Sequence, residues 1–96
     1  MTNTFIPSKD MIFSTVEGDR QRLLAHCKNM KKAKVLQLDL SRVEHCDSAG
    51  LAFLIEAKRL ARLYKKSCEV AGMTEAIQAL AEFCGVDKIL KSDCEV

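Results

Sequence analysis

Between Val35 and Leu40 apolar and polar positions alternate: Leu36, Leu38 and Leu40 share one side of an extended chain, with Val35, Gln37 and Asp39 on the other. A strand of this kind has one dry face and one wet face. A sheet built from such strands carries its helices on the dry side only, which argues against a doubly covered Rossmann-type sheet. Ser67-Cys68-Glu69-Val70-Ala71 alternates again and is broken by Gly72. Other stretches have the helical period. Val16, Leu23, Leu24, Cys27 and Met30, with Glu17 and Asp19 at the start and Lys28 and Lys31 at the end, predict a helix over 16–31 whose charge order suits its dipole. A long helix is predicted over 48–65, starting at Asp47 or Ser48. Another begins at the N-cap residue Thr74, buries Ile77, Leu80, Ala81 and Cys84, and stops at Gly85. Near the N-terminus, Phe5-Ile6-Pro7 and Met11-Ile12-Phe13 flank the turn-prone Ser8-Lys9-Asp10, which predicts a hairpin with Pro7 on an edge. Val86 to Leu90 is expected to close the fold as a short strand or helical turn, with 91–96 a loose tail.

Strand–helix–strand units imply parallel strands joined by crossover helices. The expected architecture is therefore α/β: one domain over 1–96, with a mixed, mostly parallel sheet and helices on one face. A chain of 96 residues suits one hydrophobic core.

Composition narrows the functional classes. An apolar fraction of 48% beside a charged fraction of 29% is ordinary for a globular protein. No apolar run approaches the roughly 20 residues that span a bilayer, and Met1-Thr2-Asn3-Thr4 lacks the basic start of a signal peptide. A cytoplasmic protein without direct membrane insertion is expected. The net charge of +2, from 15 basic and 13 acidic residues, is too balanced for a nucleic-acid binder. Basic residues do cluster in Lys28–Lys34 and Lys58–Lys66, mainly as solvated helix faces and a loop; weak attraction to an anionic membrane or acidic partner is the lesser alternative. Five cysteines, an odd number with no CxxC pair, argue against a zinc or redox motif and suit free thiols in a reducing compartment.

The most informative stretch is Val43 to Ile55. Asp47 or Ser48 can accept hydrogen bonds from the free N–H groups of the first helical turn, and Gly50 omits a side chain where another group approaches the backbone. On a helical wheel, Ala49, Gly50, Phe53, Leu54, Ala57, Leu60, Ala61 and Tyr64 form one apolar sector, with Glu56 at its border. Lys58, Arg59, Arg62, Lys65 and Lys66 fill the remainder. Leu51 and Ile55 fall within that charged sector beside Arg62, which predicts an exposed contact patch continuing from the helix start. Catalysis by His45, Ser48 and Asp47 is disfavoured: three residues crowded at a helix start do not supply an oriented base plus an oxyanion site, and there is no Gly-x-Ser-x-Gly elbow. His26 and His45 with Cys27 or Cys46 match no familiar metal spacing. Gly18, Gly50, Gly72 and Gly85 are isolated, so no phosphate loop is present and no cofactor is expected.

The run from Val35 to Leu90 resembles the STAS domain. The similarity lies in the strand at Val35–Leu40, the Asp-Ser-Ala-Gly-Leu signature at 47–51, a helix ending in Lys65-Lys66, a strand before Gly72, and a last helix ending in Phe83-Cys84-Gly85-Val86. The resemblance implies a non-enzymatic interaction module. In bacterial anti-sigma-factor antagonists the serine of this motif, matched here by Ser48, is phosphorylated by a partner kinase, which switches partner binding off. In the MlaB-type STAS subunit of the ABC transporter that maintains outer-membrane lipid asymmetry, the motif region docks on the cytoplasmic ATPase subunit. The form Ser-Ala-Gly-Leu-Ala, the brief N-terminal hairpin and the stand-alone domain place this chain nearer the second group. The implied partner is thus an ABC transporter ATPase at the inner face of the inner membrane, with an anti-sigma-factor kinase as the alternative. The partner-binding residues implied are Asp47, Ser48, Ala49, Gly50, Leu51, Ile55 and Arg62, and Ser48 is the candidate phosphorylation site. A homodimer through the apolar patch or a strand edge is also compatible with the sequence.

Overall fold

Leu36, Leu38 and Leu40 are fully buried while Val35, Gln37 and Asp39 remain half-exposed, so the alternation marks the inner and outer faces of the sheet. The computed structural model describes residues 2–30 and 34–91. In chain order its elements are β1 (Thr2–Phe5), β2 (Asp10–Met11), α1 (Val16–Asn29), β3 (Val35–Asp39), β4 (His45–Cys46), α2 (Ser48–Leu63), β5 (Ser67–Ala71), α3 (Glu75–Cys84) and α4 (Asp87–Lys91). β3 lies between β1 and β5, and β2 pairs with β4. Phe5, Met11, Leu23, Leu36, Leu38, Leu54 and Ile77 belong to one continuous core.

The α/β class and the helices stand as expected, but the hairpin does not. Every strand pairing among the described residues is parallel: Phe5 sits opposite Leu38, and Met11 opposite Cys46. The two apolar runs at 5–7 and 11–13 therefore pair with strands about thirty-five residues away in sequence rather than with each other. Between them, the chain is held by Asp19, a buried carboxylate on α1. It accepts from the Ser8 hydroxyl at 2.6 Å and the Ser8 N–H at 3.3 Å, and pairs with Arg22 at 2.7 Å. Asp19 thus anchors a loop, where its place in the sequence suggested a dipole role.

Helix ends follow their local chemistry. The Thr74 hydroxyl accepts from the Ile77 N–H at 3.2 Å, and Gly85 takes a left-handed φ of 77° while the Val86 N–H bonds back to the Ala81 carbonyl at 2.9 Å. Two residues fall short of that prediction: Leu80 is half-buried, and Cys84 is exposed. α2 ends at Leu63, two residues early, because Lys65 adopts a φ of 59° and the Lys66 N–H closes on the Ala61 carbonyl at 2.8 Å. A left-handed non-glycine residue costs about 1–2 kcal/mol. The closing segment is helical, as α4, with Leu90 buried. Of the tail predicted over 91–96, Lys91 instead ends α4, and 92–96 lie outside the described residues.

The start of α2 is placed by Gly50. A Cβ there would collide with the Met11 carbonyl oxygen and lie 2.7 Å from Cys46 Sγ, so the absent side chain lets α2 sit directly on the β2–β4 pair. Helix propensity favours alanine over glycine by about 1 kcal/mol, whereas overpacking costs about 1–3 kcal/mol. Gly50→Ala should therefore lower stability by up to about 2 kcal/mol in a denaturant titration. A more stable variant would contradict this packing.

His26 on α1 supplies a second test. Its ring meets Phe5 edge-on at 5.5 Å, its Nε2 has no hydrogen-bond partner among the described residues, and burial pushes the imidazole below its ordinary value. The unfolded chain takes up the proton first, near pH 6.5, so stability is lost as pH falls from there through the lower folded value. His26→Gln should flatten the decline in unfolding midpoint between pH 7 and 5; identical slopes would rule out His26 as its source.

Candidate functional site

α2 is buried over about half its circumference, since side chains spaced at about 100° from Phe53 and Leu60 round to Leu51 face protein. Leu51, at 3% exposure, belongs to the core, and Ile55 is half-buried against it. The contact patch expected from these two residues is therefore overturned. The cause is Lys58: it is only 6% exposed and reaches through the packed side to donate to the Cys68 carbonyl at 3.1 Å. The wheel treats it as solvated and so ends the buried arc too early on that side, leaving Leu51 outside it. The exposed stripe instead runs through Ser48, Ala52, Arg59, Arg62 and Leu63.

Asp47 caps α2. One carboxylate oxygen accepts from the Gly50 N–H at 3.0 Å, the other from the Phe13 N–H at 3.1 Å, and the Asp47 N–H itself donates to the Met11 carbonyl at 3.3 Å. Burial works against ionisation of this carboxyl, but the N–H groups of Gly50, Phe13 and Ala49 outweigh it and hold it below the usual carboxylate range. The neighbouring Cys46 thiol is pushed up to about 11 by burial, reinforced by the Asp47 charge, which makes it a packing group rather than a nucleophile.

Phe13 stands in the turn between β2 and α1. The Thr15 hydroxyl shapes that turn, accepting from the Ile12 N–H at 3.0 Å and donating to the Asp10 carbonyl at 2.5 Å. The Phe13 ring is 82% exposed. Beside it opens an apolar groove of about 280 Å³ between α1 and α2, lined by Val16, Ala49, Ala52 and Phe53, with Glu17, Arg20 and Glu56 at its rim. Arg20 reaches Glu56 at 3.5 Å across the helix pair, and Arg59 pairs with the same carboxylate at 2.7 Å. The Arg59 contact, joined by Arg20, holds Glu56 ionised below its ordinary value despite burial.

Of the residues singled out from the sequence, Ser48 and Arg62 are exposed, Asp47, Ala49 and Ile55 are half-buried, and Gly50 and Leu51 are buried. What approaches the Gly50 backbone is the chain itself. Phe13 and Ala52 escape the sequence reading: the apolar pattern places Phe13 in a hairpin strand, although Ala52, four residues after Ser48, falls on the serine's side of any wheel. The Ser-His-Asp arrangement is not assembled. His45 Nδ1 lies 2.7 Å from the Asp10 carboxylate, and the Asp47 carboxylate accepts from the backbone N–H groups of Gly50 and Phe13. Among the described residues no three His, Cys, Asp or Glu side chains are grouped to hold a metal, and no helix is long and apolar enough to cross a membrane.

The surface around Ser48 thus offers an exposed aromatic, an apolar groove and a capped helix start, a set suited to protein contact. No match to this chain is found among curated proteins. Residues 14–91 match the family described as "Mlab, STAS domain", a span that contains every helix and three of the five strands among the described residues, and the whole Asp47–Leu51 signature. The chain therefore belongs to the MlaB-type STAS domain family, whose members are in general interaction modules.

Proposed function

We propose that this protein is an accessory subunit that docks on the ATPase of a phospholipid-transporting ABC system, at the inner face of the inner membrane. The observation that carries the reading is the exposed Phe13 beside the apolar groove, adjacent to Ser48 on the first turn of α2. A large aromatic held in water next to an apolar trough is poorly disposed in isolation and well disposed as an interface anchor. Membership of the MlaB-type family supports an ABC transporter ATPase as the class of partner. The contact surface is Ser48, Ala49, Ala52 and Phe13, extended along α2 by Arg62; Asp47, Gly50 and Leu51 act from behind it.

A second reading rests on one observation: Ser48 is exposed at the first position of α2, where a kinase can reach it. A phosphate there would meet free helix N–H groups but also the Asp47 charge, and would place two negative charges on an apolar docking surface. On this reading the protein is an anti-sigma-factor antagonist released from its partner by phosphorylation.

Co-expression with the ABC ATPase encoded in the same gene neighbourhood separates the two. The tagged chain should retain the ATPase through purification, and Phe13→Ala or Ala52→Asp should weaken binding by more than about 2 kcal/mol, roughly thirtyfold, with unchanged circular dichroism. Ser48→Glu should weaken it as well. If both groove variants bind like wild type, the surface is misassigned. Retention of a kinase-like anti-sigma factor instead, with one phosphate added at Ser48 in the presence of ATP, would replace the transport reading by the regulatory one.

A further inference from the structure

We infer that Asp47 is a positioning residue for the docking aromatic: its second carboxylate oxygen holds Phe13 in place, so that a single side chain couples the α2 cap to the presentation of the Phe13 ring. The inference rests on the docking reading above.

The two oxygens of Asp47 have separate tasks. The one that accepts from Gly50 is an ordinary helix cap, and an asparagine or serine performs that task nearly as well. The one that accepts from Phe13, thirty-four residues earlier in the chain, contributes nothing to the cap. It fixes the backbone of a residue whose ring, at 82% exposure, has little packing of its own to hold it. Met11, fully buried two residues before, sets where the turn leaves the core, and Thr15 sets its local shape through Ile12 and Asp10. Neither contact reaches the Phe13 N–H. The Asp47 carboxylate is thus what joins this aromatic to the helix whose first turn forms the opposite wall of the groove.

An exposed aromatic binds more tightly when its backbone is already ordered, because less conformational freedom is lost on association. The low carboxyl pKa matters here. The charged form that accepts both N–H groups is the form present throughout the physiological range, so the tether is constitutive.

The variants Asp47→Asn and Asp47→Ser separate the tasks. Each retains one acceptor suited to the Gly50 N–H, whereas asparagine would turn an NH₂ donor toward the Phe13 N–H and serine has a single oxygen. Binding to the co-expressed ABC ATPase should fall roughly three- to tenfold in both variants, the range expected for losing the order of one residue at an interface. The Phe13 amide, protected from hydrogen exchange in the wild-type chain at neutral pH, should exchange faster in both. In a Phe13→Ala background, Asp47→Ser should produce no additional loss of affinity; a purely structural role would weaken binding in either background. If Phe13→Ala loses affinity while both Asp47 variants bind like wild type, the positioning role is wrong and the docking surface survives. If Phe13→Ala itself binds like wild type, the docking reading fails, and this inference with it. Should the Asp47 variants fail to fold, the wild-type chain still decides: an unprotected Phe13 amide overturns the inference.

Discussion

The first turn of α2 lies directly against the carbonyl oxygen of Met11, and the geometry of this end of the molecule follows from that approach. Only a residue without a side chain at position 50 permits it. Once it is made, the Met11 carbonyl faces the Asp47 N–H, and the Asp47 carboxylate comes within reach of both its own helix and the turn after β2. β2 and β4 are two residues each, too short to persist as an isolated ladder. They persist because the capped helix is packed onto them. Local pairing, helix start and exposed aromatic are therefore one cooperative unit.

Features decided by neighbouring residues were legible in the sequence. The alternation of Val35–Leu40 gave both the strand and its buried face, and Thr74 with Gly85 bounded α3 because a cap depends on residues within one turn. Features decided by distant contacts were not. Pro7 and Ser8-Lys9-Asp10 suit a turn whether the flanking strands pair with each other or, as here, with β3 and β4. The width of the buried arc of α2 escapes the sequence for a related reason. Lysine is usually solvated, but a helix lying on a sheet with other helices beside it has a buried arc wide enough to take in a long polar stem, and Lys58 finds a carbonyl acceptor on β5. One residue placed on the wrong side moved Leu51 from core to surface. Cys84 failed in the opposite sense, an apolar position in the last turn of α3 that is left exposed.

The rim of the groove is held by electrostatics whose stabilising value is small. Arg20, Glu56 and Arg59 are all partly exposed, and pairs in that setting contribute little to folding. Their geometric effect is larger. Glu56 is engaged from two helices at once, which fixes the spacing of α1 and α2 where the groove opens, so that Val16, Ala49 and Phe53 stay apart enough to leave a trough.

The five-residue signature divides along these lines. Asp47, Gly50 and Leu51 are committed to capping, close approach and core packing. Ser48 and Ala49 are left to face outward or line the groove, and the surface is completed by Ala52, beyond the signature, and by Phe13, far before it. A match to the signature is therefore stronger testimony about architecture than about partner, since fold and function are carried by different residues within it. Specificity must lie mainly with the outward-facing residues and with Phe13, because these can change without disturbing the packing that positions them.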